Sequence, residues 1–210
     1  MDYSRLNTIP LGEALFTQRS VRRFKPDPIA MPDIHLIMEA AVKAPNGGNS
    51  QPARFLVLTD RKIIGELGAL YHEAWWAKRR EAQGWTKPED IPLSDKSYRS
   101  AMQLADEMKD VPAMVLAWAS PGGAANSVIP AVQNLMLAAR ALGIGSVPTT
   151  LHPLVMDRAR ALLGVPKDVS FHFLVPLGYP REGARFGGSR RLPTSETTYL
   201  NRWGAKVPWS

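Results

Sequence analysis

QRSVR, residues 18–22, is the stretch of this sequence on which the fold assignment depends. It places Arg19 and Arg22 on either side of Ser20, so that two guanidinium groups and a hydroxyl can face one ligand. A planar guanidinium can bind two phosphate oxygens at once, and such charge-assisted hydrogen bonds are stronger than neutral ones. The stretch therefore predicts a phosphate-binding turn. The alternative is a helix end whose cations only complement the helix dipole.

Three further stretches supply the rest of a nucleotide site: APNGGNSQP at 44–52, GSVPTT at 145–150 and SRR at 189–191. The first two provide short polar side chains and bendable backbone, which suit hydrogen bonds to the edge of a planar heterocycle. Taken singly, the three stretches could equally be a capping loop, a strand end and a charged tail. The candidate ligand-binding residues are Arg19, Ser20, Arg22, Pro45, Asn46, Gly47, Asn49, Gln51, Val147, Pro148, Thr149, Thr150, Arg190 and Arg191.

Apolar periodicity and turn residues outline the secondary structure around these stretches. They predict helices at 10–17, 32–44, from Asp60 onward, 128–142 and 155–163, strands at 54–59, 112–119 and 170–178, and a strand and loop over 144–150. This alternation on its own favours a parallel α/β sheet. Residues 75–110, rich in Trp and turn formers, are interpreted as an inserted helical excursion outside the core and a candidate lid. Residues 180–210 form a tail with few apolar anchors.

In this order and at this spacing, the four stretches resemble the nitroreductase family of FMN-dependent oxidoreductases, from about residue 15 to residue 191. The resemblance implies an α+β fold with a mostly antiparallel central sheet flanked by helices. It also implies a domain-swapped homodimer, with flavin at the interface, in which the tail crosses to the partner. In the family, the first stretch and a C-terminal basic residue, here Arg190 or Arg191, bind the FMN phosphate, and residues 45–52 touch the flavin. Asn46 stands where serine is commoner.

Thr149 and Thr150 stand where many nitroreductases have a backbone amide and an acidic residue. In this respect the chain resembles the iodotyrosine deiodinase branch, in which a threonine hydroxyl meets flavin N5 and favours one-electron reduction. A hydroxyl can donate or accept a hydrogen bond, so we expect one of these threonines to tune the flavin. The deiodinase lid grips its substrate with Glu, Tyr and Lys. Here Ala77 follows Glu73 at the tyrosine position, which argues against iodotyrosine as the substrate.

Length and composition exclude several other classes of protein. The 210 residues suit one domain, 1–210, and the absence of cysteine excludes disulfides and iron–sulfur clusters. No apolar run reaches the roughly 18 residues of a membrane span, and no signal peptide is apparent, so the cytoplasm is expected. The net charge of +7 is scattered along the chain, which favours a solvated basic surface and no nucleic-acid partner. The four histidines are isolated, so no metal site is predicted.

These observations predict an FMN-dependent oxidoreductase. NAD(P)H would reduce the flavin at N5, and an electron-poor aromatic, quinone or halogenated substrate would then receive the electrons. Three alternatives remain open at this point. The first is a non-catalytic protein that stores or senses flavin, and the second is a basic nucleic-acid-binding module. The third is flavin-destructase chemistry of the dimethylbenzimidazole-synthase kind, which also occurs in this superfamily.

Overall fold

The central feature of the fold is a four-stranded sheet between two layers of helices, seen here in a computed structural model that describes residues 3–209. Positions 1, 2 and 210 of the predicted 1–210 domain lie outside that range. The helices are α1 (Leu11–Thr17), α2 (Met31–Val42), α3 (Arg61–Gln83), α4 (Lys96–Glu107), α5 (Ala125–Ala141), α6 (Pro153–Leu163) and α7 (Thr194–Thr197). The strands are β1 (Ala53–Leu58), β2 (Ala113–Ala119), β3 (Gly145–Ser146) and β4 (Ser170–Gly178). Single 3₁₀ turns lie at Tyr3–Leu6, Gly47–Asn49, Pro88–Asp90 and Met108–Asp110.

The strands run in the order β1-β2-β4-β3, and every neighbouring pair is antiparallel. The α+β fold with an antiparallel sheet is therefore confirmed, against the parallel sheet that alternation alone favours. All seven residues of β2 are buried, because helices cover both faces of the sheet. Successive side chains of β2 point to opposite faces: Met114 packs in the cluster with α3, α4 and α6, and Val115 in the cluster with α2 and α5.

Local signals in the sequence fix several element boundaries. The Asp60 carboxylate accepts hydrogen bonds from the backbone N–H groups of Lys62 and Ile63, which confirms it as the N-cap of α3. Within the strand and loop predicted at 144–150, Gly145–Ser146 pair as β3. Pro148 has no N–H to donate, so the ladder is interrupted and resumes only as a single bridge between Thr149 and Leu174.

The interpretation of residues 75–110 as lying outside the core is wrong for its main apolar side chains. Trp75 is only 8% exposed, and Ile91, Leu104 and Met108 are fully buried in the cluster on the α3 side of the sheet. The reason is that α3 continues unbroken to Gln83, so its apolar face keeps facing the core at helical spacing. The turn-rich residues that follow α3 led to the prediction of an excursion that begins at residue 75, before the helix ends. A lid function for this region remains a prediction.

Two glycines of α3 offer a matched test of this packing. A Cβ on Gly68 would lie 2.5 Å from the backbone nitrogen of Lys109, whereas a Cβ on Gly65 would meet nothing within 4 Å. We expect Gly68→Ala to lower the free energy of unfolding by about 3 kcal/mol through overpacking against backbone. Gly65→Ala should raise it by about 0.5–1 kcal/mol, because alanine favours helix over glycine. Urea denaturation followed by circular dichroism measures both, and equal responses of the two variants would contradict the described contact between α3 and Lys109.

Candidate functional site

The first and third predicted stretches lie side by side at the β3 edge of the sheet. The Val21 N–H donates a hydrogen bond of 3.0 Å to the Ser146 carbonyl, and Ser20 forms a parallel bridge with Ser146. This approach requires glycine at position 145, since a Cβ there would come within 2.7 Å of Val21 Cγ1. The structure thus brings residues 18–22 and 145–150 together, as expected for parts of one site.

A cleft of about 300 Å³ opens at the first stretch. It is lined by Arg19, Ser20, Val21, Arg22, Arg23, Ser100, Gly183, Ala184 and Arg185. Among the described residues that line it, four are arginines and none is acidic. The cleft is therefore suited to an anion and unsuited to a cation.

The arginines of the cleft lack anionic partners. Burial, followed in the same direction by the like charge of Arg19, lowers the pKa of Arg22, while Tyr71 opposes the shift. Arg19 donates from Nη1 to the Gly187 carbonyl at 2.8 Å, but within residues 3–209 neither Arg19 nor Arg22 forms an ion pair. Two neighbouring, partly buried cations without a carboxylate are unfavourable alone and favourable around a dianion. The residues present fit a phosphate.

Thr149 and Thr150 differ sharply in what their hydroxyls do. Thr149 Oγ1 donates to the Leu174 carbonyl at 2.7 Å, and its backbone N–H donates to the same carbonyl at 2.8 Å. Thr150 is exposed, and its Oγ1 accepts a hydrogen bond of 3.5 Å from Lys78 Nζ on α3. The Thr150 hydroxyl proton donates to no protein acceptor within residues 3–209, so it can be offered to a ligand.

A buried tyrosine lies behind these threonines. Burial raises the pKa of the Tyr71 hydroxyl, against the opposing influence of a side-chain hydrogen bond with Thr149 and of the positive charges of Arg22 and Arg79. Tyr71 thus joins the phosphate stretch, the threonine stretch and α3 at one point. It was missed in the sequence because a tyrosine at a helical core position carries no signal of its neighbours.

The second predicted stretch is a tightly held loop. The Asn46 side-chain oxygen accepts a hydrogen bond of 2.8 Å from the Gln51 N–H, and the Gly47 N–H donates to Ser127 Oγ at 3.2 Å. Gly48, Asn49 and Gln51 all have positive φ, between 48° and 57°. Such backbone is uncommon for residues other than glycine and collects at functional sites. The side-chain amide of Asn46 stabilises this conformation by accepting the hydrogen bond from Gln51, which explains an asparagine at this position.

This loop lies far from the first stretch within one chain. It leads into β1 at Ala53, which pairs with Ala119 and, through it, with Ser170 at the start of β4. Ser146, beside the first stretch, pairs with Leu177 near the end of β4. Three strand spacings across the sheet and seven residues along β4 separate these corners by roughly 25 Å. The structure does not bring residues 45–52 to residues 18–22.

The tail begins at the cleft and then leaves it. The Gly187 N–H donates to the Thr17 carbonyl at 2.6 Å, which holds the chain next to the first stretch. Arg190 and Arg191 are exposed, and the hydrogen bond from Arg191 Nη1 goes only to the Arg190 carbonyl, at 2.9 Å. Neither arginine reaches Arg19 or Arg22 through a contact within residues 3–209. The structure therefore does not distinguish the two arginines as phosphate ligands.

Three cleft residues with polar or charged side chains were absent from the predicted set. Arg23 had a signal, since it continues the Arg22-Arg23 doublet, but Ser100 and Arg185 come from distant parts of the sequence and had none. Within residues 3–209, no group of three acidic or histidine side chains is placed to hold a metal ion. Over the same residues, no helix combines the length and hydropathy that a membrane crossing requires.

Comparison with known proteins agrees with this geometry. The chain is 29% identical over 209 residues to a NADH dehydrogenase of Thermus thermophilus, covering 89% of this chain and 95% of the relative. It is 33% identical over 177 residues to the 5,6-dimethylbenzimidazole synthase of Rhodospirillum rubrum, covering 81% and 82%. The crystal structure of oxidized iodotyrosine deiodinase bound to FMN and 3-iodo-L-tyrosine superimposes with a TM-score of 0.72 at 23% identity, covering 93% of this chain and 100% of that one.

The family assignment rests on the extent of one match. The model of the Nitroreductase family matches residues 15–179, which include the first three predicted stretches and all four strands. More than half of the chain is therefore covered, and this chain belongs to the nitroreductase family.

Proposed function

We propose that this protein is an FMN-dependent oxidoreductase that uses NAD(P)H to reduce an electron-poor aromatic, quinone or halogenated substrate. When bound, FMN supplies the redox chemistry, accepting and releasing electrons at N5. The observation that carries the proposal is the cleft in which Arg19 and Arg22 lie together without an acidic partner. Arg19, Ser20 and Arg22 would hold the phosphate, and this charge-assisted binding would orient the rest of the nucleotide.

The dimer follows from the distance between the two parts of the site. Because residues 45–52 and 18–22 lie at opposite corners of the sheet, one flavin can touch both only if the loop comes from a second copy of the chain. Exposed apolar side chains supply a surface for that copy: Phe16 on α1 is 85% exposed and Trp203 in the tail is 91% exposed. We propose a homodimer in which each tail crosses to its partner.

Reduction by nicotinamide tests the function directly. The purified protein is made anaerobic, and NADH and NADPH are added separately while the visible absorbance of the flavin is followed. Bleaching, and its recovery when a quinone or nitroaromatic is added, supports the proposal. A flavin-loaded protein that neither coenzyme bleaches would instead be a storage or sensing protein.

Thr150 is the threonine that we propose to meet flavin N5, because the Thr149 hydroxyl already donates to Leu174. We expect Thr150→Ala to change the difference between the two one-electron reduction potentials of the bound flavin by about 40 mV, the equivalent of a net hydrogen bond of about 1 kcal/mol. Thr150→Ser retains the hydroxyl and should leave that difference nearly unchanged. Spectroelectrochemical titration of the three proteins measures it.

The outcome for Thr149 separates the two threonines. Thr149→Val removes a hydroxyl that faces the sheet, so its effect should fall on stability and not on the potentials. A shift of the potentials in Thr149→Val, with none in Thr150→Ala, would reverse the assignment.

A further inference from the structure

Arg79 of α3 is a buried cation without a counter-charge. The residue is only 7% exposed, and its Nε is fully buried without a hydrogen-bond partner. Within residues 3–209 its guanidinium forms no ion pair. Arginine keeps its charge in proteins, and an isolated buried charge is strongly unfavourable. Binding of an anion from outside the chain would therefore be favourable at Arg79.

Three acidic residues of α3 and α4 do not supply that anion, because each is paired with another side chain. Glu73 binds Arg158 at 2.6 Å, Glu81 binds His152 at 2.9 Å, and Asp106 binds His72 at 3.2 Å. All three pairs lie on more exposed parts of the surface. The charge of Arg79 is left uncompensated while these three carboxylates are paired.

Aromatic rings restrict how an anion can approach. The Arg79 Cζ lies 4.9 Å from the ring centroid of Tyr98 on α4 and 5.6 Å from that of Trp75. Both rings bind the guanidinium as cation–π partners and cover its surroundings. The Nε–H in the plane of the guanidinium has no protein acceptor, and the planar fork of an arginine matches a planar carboxylate.

The position of Arg79 ties it to the proposed flavin site. Its charge and that of Arg22 both act on the Tyr71 hydroxyl, which in turn meets the side chain of Thr149. Arg79 does not line the cleft of residues 19–23, so the phosphate has its own arginines. Further rings pack against the two that contact this cation, since Trp76 is edge-on to Trp75 at 4.8 Å and Trp85 edge-on to Tyr98 at 5.1 Å. The surroundings of Arg79 suit a planar aromatic group.

We propose that Arg79 recognises the carboxylate of an aromatic acid, and that aromatic carboxylates are the substrate class of this protein. This inference rests on the proposed function only in that the aromatic acid is taken to be the molecule that is reduced, at a group other than its carboxylate. Binding itself needs no reductant. It can therefore be measured on the oxidised protein, with no turnover.

Calorimetric titration with two isosteric probes tests the proposal. Wild-type protein, as purified and without nicotinamide, is titrated with 4-nitrobenzoate and with the neutral 4-nitrobenzamide. We expect the carboxylate to bind roughly tenfold or more tightly than the amide, the effect of a charge-assisted hydrogen bond. Arg79→Met should abolish that preference. Arg80→Met removes the same charge from the neighbouring exposed position and should preserve it.

Three results would overturn the proposal: equal binding of the two probes by wild type, an unchanged preference in Arg79→Met, or loss of FMN from Arg79→Met during purification. The last would assign the charge of Arg79 to the flavin phosphate. If the methionine variant does not fold, Arg79→Lys decides, because lysine keeps the charge but not the planar fork. A preference reduced about threefold or more supports the proposal, and an unchanged preference overturns it. A protein that binds the acid but is not bleached by NADH or NADPH would refute only the proposed function.

Discussion

Replacing Arg19 and Arg22 together with alanine is expected to leave a folded protein that is purified without flavin. Both guanidinium groups line the cationic cleft and lack ion-pair partners within residues 3–209, so their removal costs the fold little and the ligand much. Each charge-assisted bond to a phosphate contributes about 1.5–3 kcal/mol, so the pair contributes at least about 3 kcal/mol. The dissociation constant for FMN should rise at least about 100-fold. Fluorescence titration of flavin-free protein with FMN measures this change.

A control with the same loss of charge guards against a general electrostatic effect. Arg80 and Lys96 are exposed and do not line the cleft, so the Arg80→Ala, Lys96→Ala double variant should retain its flavin. Full flavin retention by the Arg19, Arg22 variant would contradict the phosphate assignment. So would equal loss from both double variants.

Truncation after Arg191 is expected to give a protein that aggregates or loses its flavin. The deletion keeps Gly187 and the contacts that hold the first stretch, but it removes the exposed apolar residues Leu192, Tyr199, Leu200, Trp203 and Trp209. Burying an apolar side chain contributes about 1.5–3 kcal/mol, so a tail docked on a partner would contribute on the order of 10 kcal/mol. Light scattering after gel filtration gives the mass, and absorbance gives the flavin content.

The control keeps the apolar anchors and changes only polar tail residues. Replacing the exposed residues Ser195 and Glu196 with alanine should preserve both the dimer and its flavin. A truncated protein that remains soluble, monomeric and loaded with flavin would show that the tail does not complete the site.

The sequence predicts those elements of the fold that depend on interactions between residues close in the sequence. Asp60 predicts the start of α3 because its carboxylate accepts hydrogen bonds from backbone N–H groups two and three residues away. The uninterrupted apolar run of β2 predicts a strand that is covered on both faces. The antiparallel strand order has no such local cause. The resemblance to the nitroreductase family predicts the antiparallel sheet, whereas the alternation of helices and strands favours a parallel sheet, which the structure does not have.

The candidate site shows the same limit more sharply. Thr149 and Thr150 are equivalent in sequence, and only the carbonyl of Leu174, 25 residues away, distinguishes them. The scattered basic residues predict a solvated surface, yet Arg79, between Lys78 and Arg80 on α3, is buried. Successive residues on a helix are rotated by about 100°, so the middle residue of the three turns inward. Contacts across the fold, which the sequence does not display, decide which of several similar side chains carries the chemistry.

The placement of residues 45–52 at the corner of the sheet opposite residues 18–22 has a consequence for how the cofactor reports on the protein. On the proposed arrangement neither chain alone encloses a flavin, so occupancy is linked by mass action to the meeting of two chains. Diluting the protein would then release the chromophore, and adding the chromophore would drive association. The visible absorbance of bound flavin would therefore report the fraction of chains that are dimeric. At low flavin concentration the protein would be present as separate chains.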